Sequence, residues 1–89
     1  MKAVITVTGK DAVGIIAKVA QKCSESGVNI IDISQSVIRE YFAMIMLVDI
    51  TAISQPFGDF VDEMDRLGKE SGLVISAMHE DIFNSMHRI

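Results

Sequence analysis

The stretch KAVITVTGKDAVGIIAKVAQKCSESG, residues 2–27, decides the fold class of this chain. Its first part, residues 2–8, is rich in Val, Ile and Thr and predicts a β-strand, because such side chains suit a pleated surface. Asp11 is a favourable helix-capping residue, so a helix is expected to follow it at once. The apolar face of that helix is expected to comprise Ile16, Val19, Ala20 and Cys23. Gly27 ends it.

The rest of the chain predicts three more strands and a second helix. The strands are expected over residues 28–38, 41–51 and 73–79, with Arg39-Glu40 as the reversal between the first two. Pro56 opens the second helix, since Pro is tolerated in a first turn, and Gly72 ends it. Strict alternation in the second strand puts on one face Asn29, Ile31, Ile33, Gln35 and Val37. The third strand is apolar on both sides, which predicts an interior position with cover on both faces.

This order of elements predicts an α+β, ferredoxin-like βαββαβ fold, in which a four-stranded antiparallel sheet carries two helices on one face. A short amphipathic tail follows, expected to be helical, with its apolar side formed by Ile82, Phe83, Met86 and Ile89. We expect a single domain over residues 1–80 and a C-terminal tail over residues 81–89.

The chain carries more apolar residues than a small monomer usually hides. Its 89 residues allow one domain. Counting Gly, about 56% of them are apolar, against roughly 45–50% in an ordinary domain. This excess predicts a subunit interface, either across the open face of the sheet or between edge strands. A homodimer is therefore expected.

Charge and cysteine content exclude several classes of partner. The net charge is −4 and the pI about 4.9, without the basic face that nucleic-acid binding usually needs. The longest apolar run, residues 42–48, is too short to span a bilayer, and the N-terminus lacks a signal-peptide pattern. One cysteine cannot form an internal disulfide. We expect a soluble, cytoplasmic protein with neither a nucleic-acid nor a membrane partner.

No catalytic or metal-binding pattern is visible in the sequence. The loop over residues 9–14 lacks the CxxC pair that metal-carrying domains of this topology place there. His79 and His87 lack a short ligand spacing, and the serines have no obvious base partner. Cys23 lies on the apolar face of the first helix, where a buried thiol is the expected role. We therefore expect no enzyme activity, no catalytic residue, no cofactor and no metal.

The first loop and the start of the second strand form the best-supported site. Backbone N–H groups around Gly14, Ile15 and Ile16 lie at a helix N-terminus, which attracts anions such as a carboxylate. Asp11 would suit an ammonium group, and the Asn29 amide both donates and accepts hydrogen bonds. In the ferredoxin-like arrangement the second strand is expected to run not far from this loop, so these groups together would bind a zwitterion. The alternative is that Asp11 is only a helix cap and Asn29 only a turn residue.

These residues resemble a known family. The stretch from Val4 to Val19, followed by Gly27-Val28-Asn29-Ile30, is similar to the ACT domain, with its D/N-x-x-G turn and its G-x-N-I start to the second strand. The similarity covers roughly residues 2–80. It is greatest to small stand-alone ACT proteins and to ACT modules of the glycine-cleavage repressor type.

The resemblance implies an amino acid or related small effector, bound at an interface between two ACT domains. It places the effector-binding positions at Asp11, Gly14 and Asn29. Adjacent contributions come from Ala12, Val13, Ile15 and Ile30. The chain departs from the family pattern at three positions: Val13 replaces a frequent Pro, Asp11 a frequent Asn, and Gly9 the His of serine-sensing members. Serine specificity is therefore not implied.

Two functions remain open from the sequence. The first is a regulatory ligand-binding module that acts through an unidentified regulated protein. The second is a pure interaction module that assembles through its apolar surfaces and binds no small molecule.

Overall fold

The computed structural model describes residues 1–10 and 13–86. Its elements are β1 (Lys2–Gly9), α1 (Ile15–Glu25), β2 (Asn29–Ile38), β3 (Tyr41–Asp49), α2 (Phe57–Ser71), β4 (Val74–His79) and α3 (Glu80–Met86). The predicted ferredoxin-like βαββαβ arrangement is confirmed, and the C-terminal segment forms a third helix.

The sheet has the strand order β2-β3-β1-β4, and all neighbours are antiparallel. The predicted interior position of β3 is confirmed, and β2 and β4 are the edges. Gly9 pairs with Phe42 at one end of the sheet, whereas Lys2 pairs with Asp49 at the other. We call these the Gly9 end and the Lys2 end. The reversal at Arg39-Glu40 lies at the Gly9 end, where Arg39 has a φ of 57°.

The core lies between one face of the sheet and the helices α1 and α2. From the sheet it contains Ala3, Ile5, Val7, Met44, Met46, Val48, Ile75 and Ala77. From the helices it contains Ile15, Val19, Cys23, Phe60 and Met64. Gly68 of α2 is also buried, because the backbone of β4 packs directly against it. The predicted bounds of α2, Pro56 before it and Gly72 after it, are confirmed.

The predicted start of α1 was wrong, whereas its apolar face was predicted in part, since Val19 and Cys23 are buried as expected. The helix begins at Ile15 with Gly14 as its N-cap, not directly after Asp11. Ile15 is therefore buried, whereas Ile16, which was expected in the core, is 38% exposed. Two adjacent isoleucines give the helical pattern two nearly equivalent phases, and the turn at Gly14 decides between them.

A β-bulge breaks the predicted alternation of β2. Ile30 pairs with Val48 and Asp32 with the preceding Leu47, so Ile31 is the extra residue. Residues directly opposite one another share a face of the sheet. Asn29, opposite Asp49, and Ile33, opposite Met46, consequently lie on opposite faces, not on the same one.

The helices α1 and α2 cover only one face of β3, so the expectation of cover on both sides was wrong. Ile45, on the face turned away from them, is 47% exposed. We call this surface the open face. The tail helix α3 contacts β1 and β4 and leaves Ile82 and Met86 exposed. His87 and Ile89 of the predicted tail lie outside the described residues. None of the described helices is long and apolar enough to cross a membrane.

Candidate functional site

The turn between β1 and α1 exposes the N-terminus of a helix. Gly14 has a φ of 76° and is the N-cap of α1, and among the described residues no side chain hydrogen-bonds at this cap. The first helical bond runs from the Lys18 N–H to the Gly14 carbonyl oxygen, at 3.2 Å. The amides of the first turn thus lie at a helix end that none of the described side chains caps, which is an arrangement that attracts an anion.

Space around this turn is open. A Cβ placed on Gly14 would have no described atom outside its chain neighbours within 4 Å. Val13 beside it is 93% exposed, whereas Ile15 is buried and offers a ligand only its backbone. Asp11 and Ala12, both predicted site residues, lie outside the described residues. The turn therefore leaves room for a ligand or for another chain.

Lys18 is a candidate site residue that the sequence reasoning missed. It helps to line a shallow cavity of about 150 Å³ next to the turn, together with Val13, Ile15, Ser71 and Leu73. Lys18 is exposed on the outer face of α1, and that face borders the cavity. Its position four residues after Gly14, one turn into the helix, was the available signal. Its ammonium group adds a second attraction for a carboxylate.

Asn29 and Ile30 do not join this turn within one chain. Asn29 pairs with Asp49, which in turn pairs with Lys2, so Asn29 lies at the Lys2 end of the sheet. The turn follows Gly9 at the opposite end, roughly 23 Å away along β1 at about 3.3 Å per residue. The expectation that β2 starts close to the loop was wrong. Ile30 is partly buried and packs against the core.

Cys23 is buried, as expected from the sequence. It is 1% exposed, and burial raises the pKa of its thiol to about 11. A thiol with so high a pKa is almost entirely protonated at neutral pH and is a poor nucleophile. Cys23 therefore belongs to the core between α1 and the sheet.

Asp49 organises the Lys2 end of the sheet. Its Oδ1 accepts hydrogen bonds from the Thr51 hydroxyl at 2.6 Å and from the Thr51 backbone N–H at 2.8 Å. These bonds, the hydroxyl first, lower the pKa of the Asp49 carboxyl. The Met1 amino group lies 3.7 Å from the same oxygen. The cluster fixes the chain where β3 ends.

The sequence profile of the ACT domain matches residues 2–78. A UPF0237 protein of Clostridium acetobutylicum is 49% identical over 89 residues, covering 100% of both chains. The structure of an ACT domain protein from Streptococcus pneumoniae superposes with a TM-score of 0.80 at 42% identity, covering 93% of each chain. A putative glycine cleavage system transcriptional repressor superposes with a TM-score of 0.68 at 26% identity, covering 86% of this chain and 44% of that one.

The chain therefore belongs to the ACT domain family. This confirms the resemblance drawn from the turn and from the start of β2. ACT domains are regulatory domains that bind small ligands, so the class of the protein is a small regulatory domain.

Proposed function

We propose that this protein is a homodimeric regulatory module that binds an amino acid or a related small carboxylate. The observation that carries the proposal is the exposed turn at Gly14, where Lys18 and a helix N-terminus that no described side chain caps border one cavity. Both attract the carboxylate of a ligand, and Asp11, three residues before Gly14, is suited to its ammonium group.

The position of Asn29 supports a site formed by two chains. The edge strand β2 exposes every residue from 31 to 38, and none of the described strands pairs with its outer side. A twofold axis perpendicular to the sheet would pair β2 with β2 of the partner subunit in antiparallel fashion. The Asn29 end of one β2 then lies beside the Ile38 end of the other, which is the end of the sheet that carries the Gly14 turn.

We infer that the module acts in the cytoplasm, through a protein that it regulates. We also infer that it is not itself an enzyme. This inference is supported by the kind of domain that the chain represents, because regulation is the role of ACT domains. Ligand binding at a dimer interface would change the shape or stability of the dimer that the regulated protein recognises.

Isothermal titration of the purified protein against each of the twenty amino acids tests the proposal. Binding of at least one, with a matching rise in melting temperature, is the expected result. Asp11→Ala and Asn29→Ala are expected to weaken that binding about tenfold or more, because each removes a charge-assisted or bidentate contact. Asn84→Ala, an equally exposed asparagine on α3, is the matched control. The absence of heat and of any thermal shift with all twenty would contradict the proposal.

A pure interaction module is the second candidate, favoured by the exposed apolar side chains of the open face and α3. If this second function is correct, the oligomeric state does not change when metabolites are added. A partner protein that binds the wild type in a pull-down then binds the Asp11→Ala variant equally. A change in the amount of captured partner protein when an amino acid is added would exclude a pure interaction module.

A further inference from the structure

The open face has a depression at one end of the sheet. The side chains of this face come from alternate residues of the strands, and the register identifies them. Thr8, Ala43 and Ser36 lie opposite one another on three neighbouring strands and form a row of short side chains. Next to that row, Tyr41 and Ile38 pair with each other, and they are 53% and 67% exposed. The short row is therefore the floor of the depression, and the two large side chains form one wall.

The depression is a cavity of about 250 Å³ whose lining is almost wholly apolar, and Gly9 and Phe42 complete that lining. We call it the Ala43 cavity. Three neighbouring strands span about 10 Å, so the floor has the width of one aromatic ring and its substituent. Sites for drug-sized ligands hold about 300–1,000 Å³, so this cavity suits a smaller molecule. A flat apolar floor beside the ring of Tyr41 favours a planar, apolar group.

One cation lies beside the Ala43 cavity. The Nζ of Lys10 is 5.7 Å from the centroid of the Tyr41 ring, and Lys10 makes no ion pair with any residue that the structure describes. The residues that line the cavity include no carboxylate. A carboxylate on a ligand would find a partner in Lys10, whereas an ammonium group would find none in the lining. The charge beside this cavity thus favours an acid over an amino acid.

We propose that the Ala43 cavity binds a small aromatic carboxylate. The aromatic ring of the ligand lies on the floor at Ala43 and against the ring of Tyr41, and its carboxylate points to the ammonium group of Lys10. This cavity shares no lining residue with the cavity beside Lys18. The site is therefore separate from the proposed effector site, and the proposal does not depend on that function.

A titration with phenylacetate, followed through the backbone amide signals of isotope-labelled protein by NMR, tests this site. We expect saturable shifts at the residues of the floor and the wall, with a dissociation constant of about 1 mM or lower. The fluorescence of Tyr41 is expected to change with the same midpoint. It reports this cavity alone, because the chain has one Tyr and no Trp. Shifts that do not saturate, or that lie at other residues, would overturn the proposal.

Two valine substitutions separate the cavity from the rest of the open face. Ala43→Val fills the floor, whereas Ser34→Val adds methyl groups one row further along the sheet, outside the lining. Both positions are exposed and β-branched residues suit a strand, so both variants are expected to fold, which circular dichroism checks. We expect Ala43→Val to weaken phenylacetate binding about tenfold or more, because its methyl groups occupy the space of the ligand. Ser34→Val is expected to leave binding unchanged, and equal affinities in the two variants would overturn the proposal.

The contact between the carboxylate and Lys10 is tested by charge. Lys10→Gln is expected to weaken phenylacetate binding about threefold, the size of a partly exposed ion pair, whereas Lys10→Arg is expected to retain it. Phenylacetamide, which has no charge, is expected to bind the wild type and Lys10→Gln equally. Lys2→Gln makes the same change at the other end of the sheet and is the control. Equal losses in Lys10→Gln and Lys2→Gln would assign the effect to net charge and contradict a contact with Lys10.

Two analogues of phenylacetate test the class of ligand. Cyclohexylacetate keeps the carboxylate but has a puckered ring, and phenylalanine adds an ammonium group. Both are expected to bind the Ala43 cavity about threefold more weakly or less, because one loses the stacking on Tyr41 and the other must desolvate a charge without a partner. Tighter binding of either analogue than of phenylacetate would contradict the assignment. A failure of amino acids to bind at the Gly14 turn would contradict the proposed effector site and leave this result standing.

Discussion

Gly14 and Gly72 have the same backbone geometry at opposite ends of two helices. Their φ angles are 76° and 71°, and a Cβ on either would meet no described atom within 4 Å outside its chain neighbours. An L-residue in this left-handed region pays a steric penalty within its own backbone, whatever lies around it. Gly14 is the N-cap of α1 at the candidate effector site, whereas Gly72 is the C-cap of α2 and lies outside that site.

Gly14→Ala and Gly72→Ala are therefore expected to lower the free energy of unfolding by similar amounts, about 1 kcal/mol each. Urea denaturation measures both. Only Gly14→Ala is expected to weaken effector binding, because its new methyl group occupies the space next to the helix N-terminus. Equal loss of effector affinity in the two variants would show that the turn acts through overall stability and not through contact with the ligand.

Asp49 gives the fold a dependence on acid pH. Because the bonds from Thr51 lower its pKa in the folded chain, its contribution to stability is present above the unfolded pKa of about 3.9 and is lost as pH falls through the lower folded value. Thr51→Val removes the hydroxyl, which is the largest cause of the shift. We expect the Asp49 carboxyl in this variant to titrate at a higher pH than in the wild type, measured by carboxyl-detected NMR. An unchanged midpoint would assign the shift to the backbone N–H of Thr51.

At the scale of elements, local signals predicted most of the structure. Glycine and proline residues lie next to the observed ends of the helices. Pro56 and Gly72 mark the two ends of α2 because of their own backbone preferences. The bulge at Ile31 has no such signal, because it depends on how β2 aligns with β3. The position of Asn29 depends on the length of α1. The eleven residues of α1 span about 16 Å, so the helix carries the chain back to the Lys2 end before β2 begins.

The contact between α2 and β4 depends on Gly68. A Cβ on Gly68 would lie 2.9 Å from the Ile75 nitrogen and 2.9 Å from the Leu73 oxygen, both backbone atoms that cannot rotate away. Gly68→Ala is expected to destabilise the fold by about 1–3 kcal/mol, measured by urea denaturation. Gly58→Ala, in open space on the same helix, is the control and is expected to stabilise by about 0.5–1 kcal/mol. Equal effects of the two substitutions would contradict the close packing of α2 on the sheet.

At the scale of the molecule, the exposed edge of β2 and the open face each leave apolar surface in contact with water. A chain of 89 residues buries a smaller fraction of its unfolded surface than a larger domain does, so contacts between copies would add to its stability. Self-association of this kind couples folding to the concentration of the protein.

The melting temperature of the wild type is therefore expected to rise with protein concentration. Differential scanning calorimetry from micromolar to millimolar chain concentration measures this rise. The chain that carries Ile33→Lys, Val37→Lys and Ile45→Lys together is expected to melt at one temperature throughout the range. A wild-type melting temperature independent of concentration would contradict self-association through either surface.

The separation of the Gly14 turn and Asn29 by the length of the sheet has a consequence for mixed assemblies. If each site takes Asp11 from one subunit and Asn29 from the other, two defective chains complement one another. A heterodimer of an Asp11→Ala chain with an Asn29→Ala chain has one site with both substitutions and one site with neither. Mixing equal amounts of the two defective proteins, with exchange of subunits, is expected to give about half heterodimers and therefore one full-affinity site for every four chains. A site confined to a single chain would stay defective in every mixture, so a simple complementation experiment reveals which subunit supplies each residue.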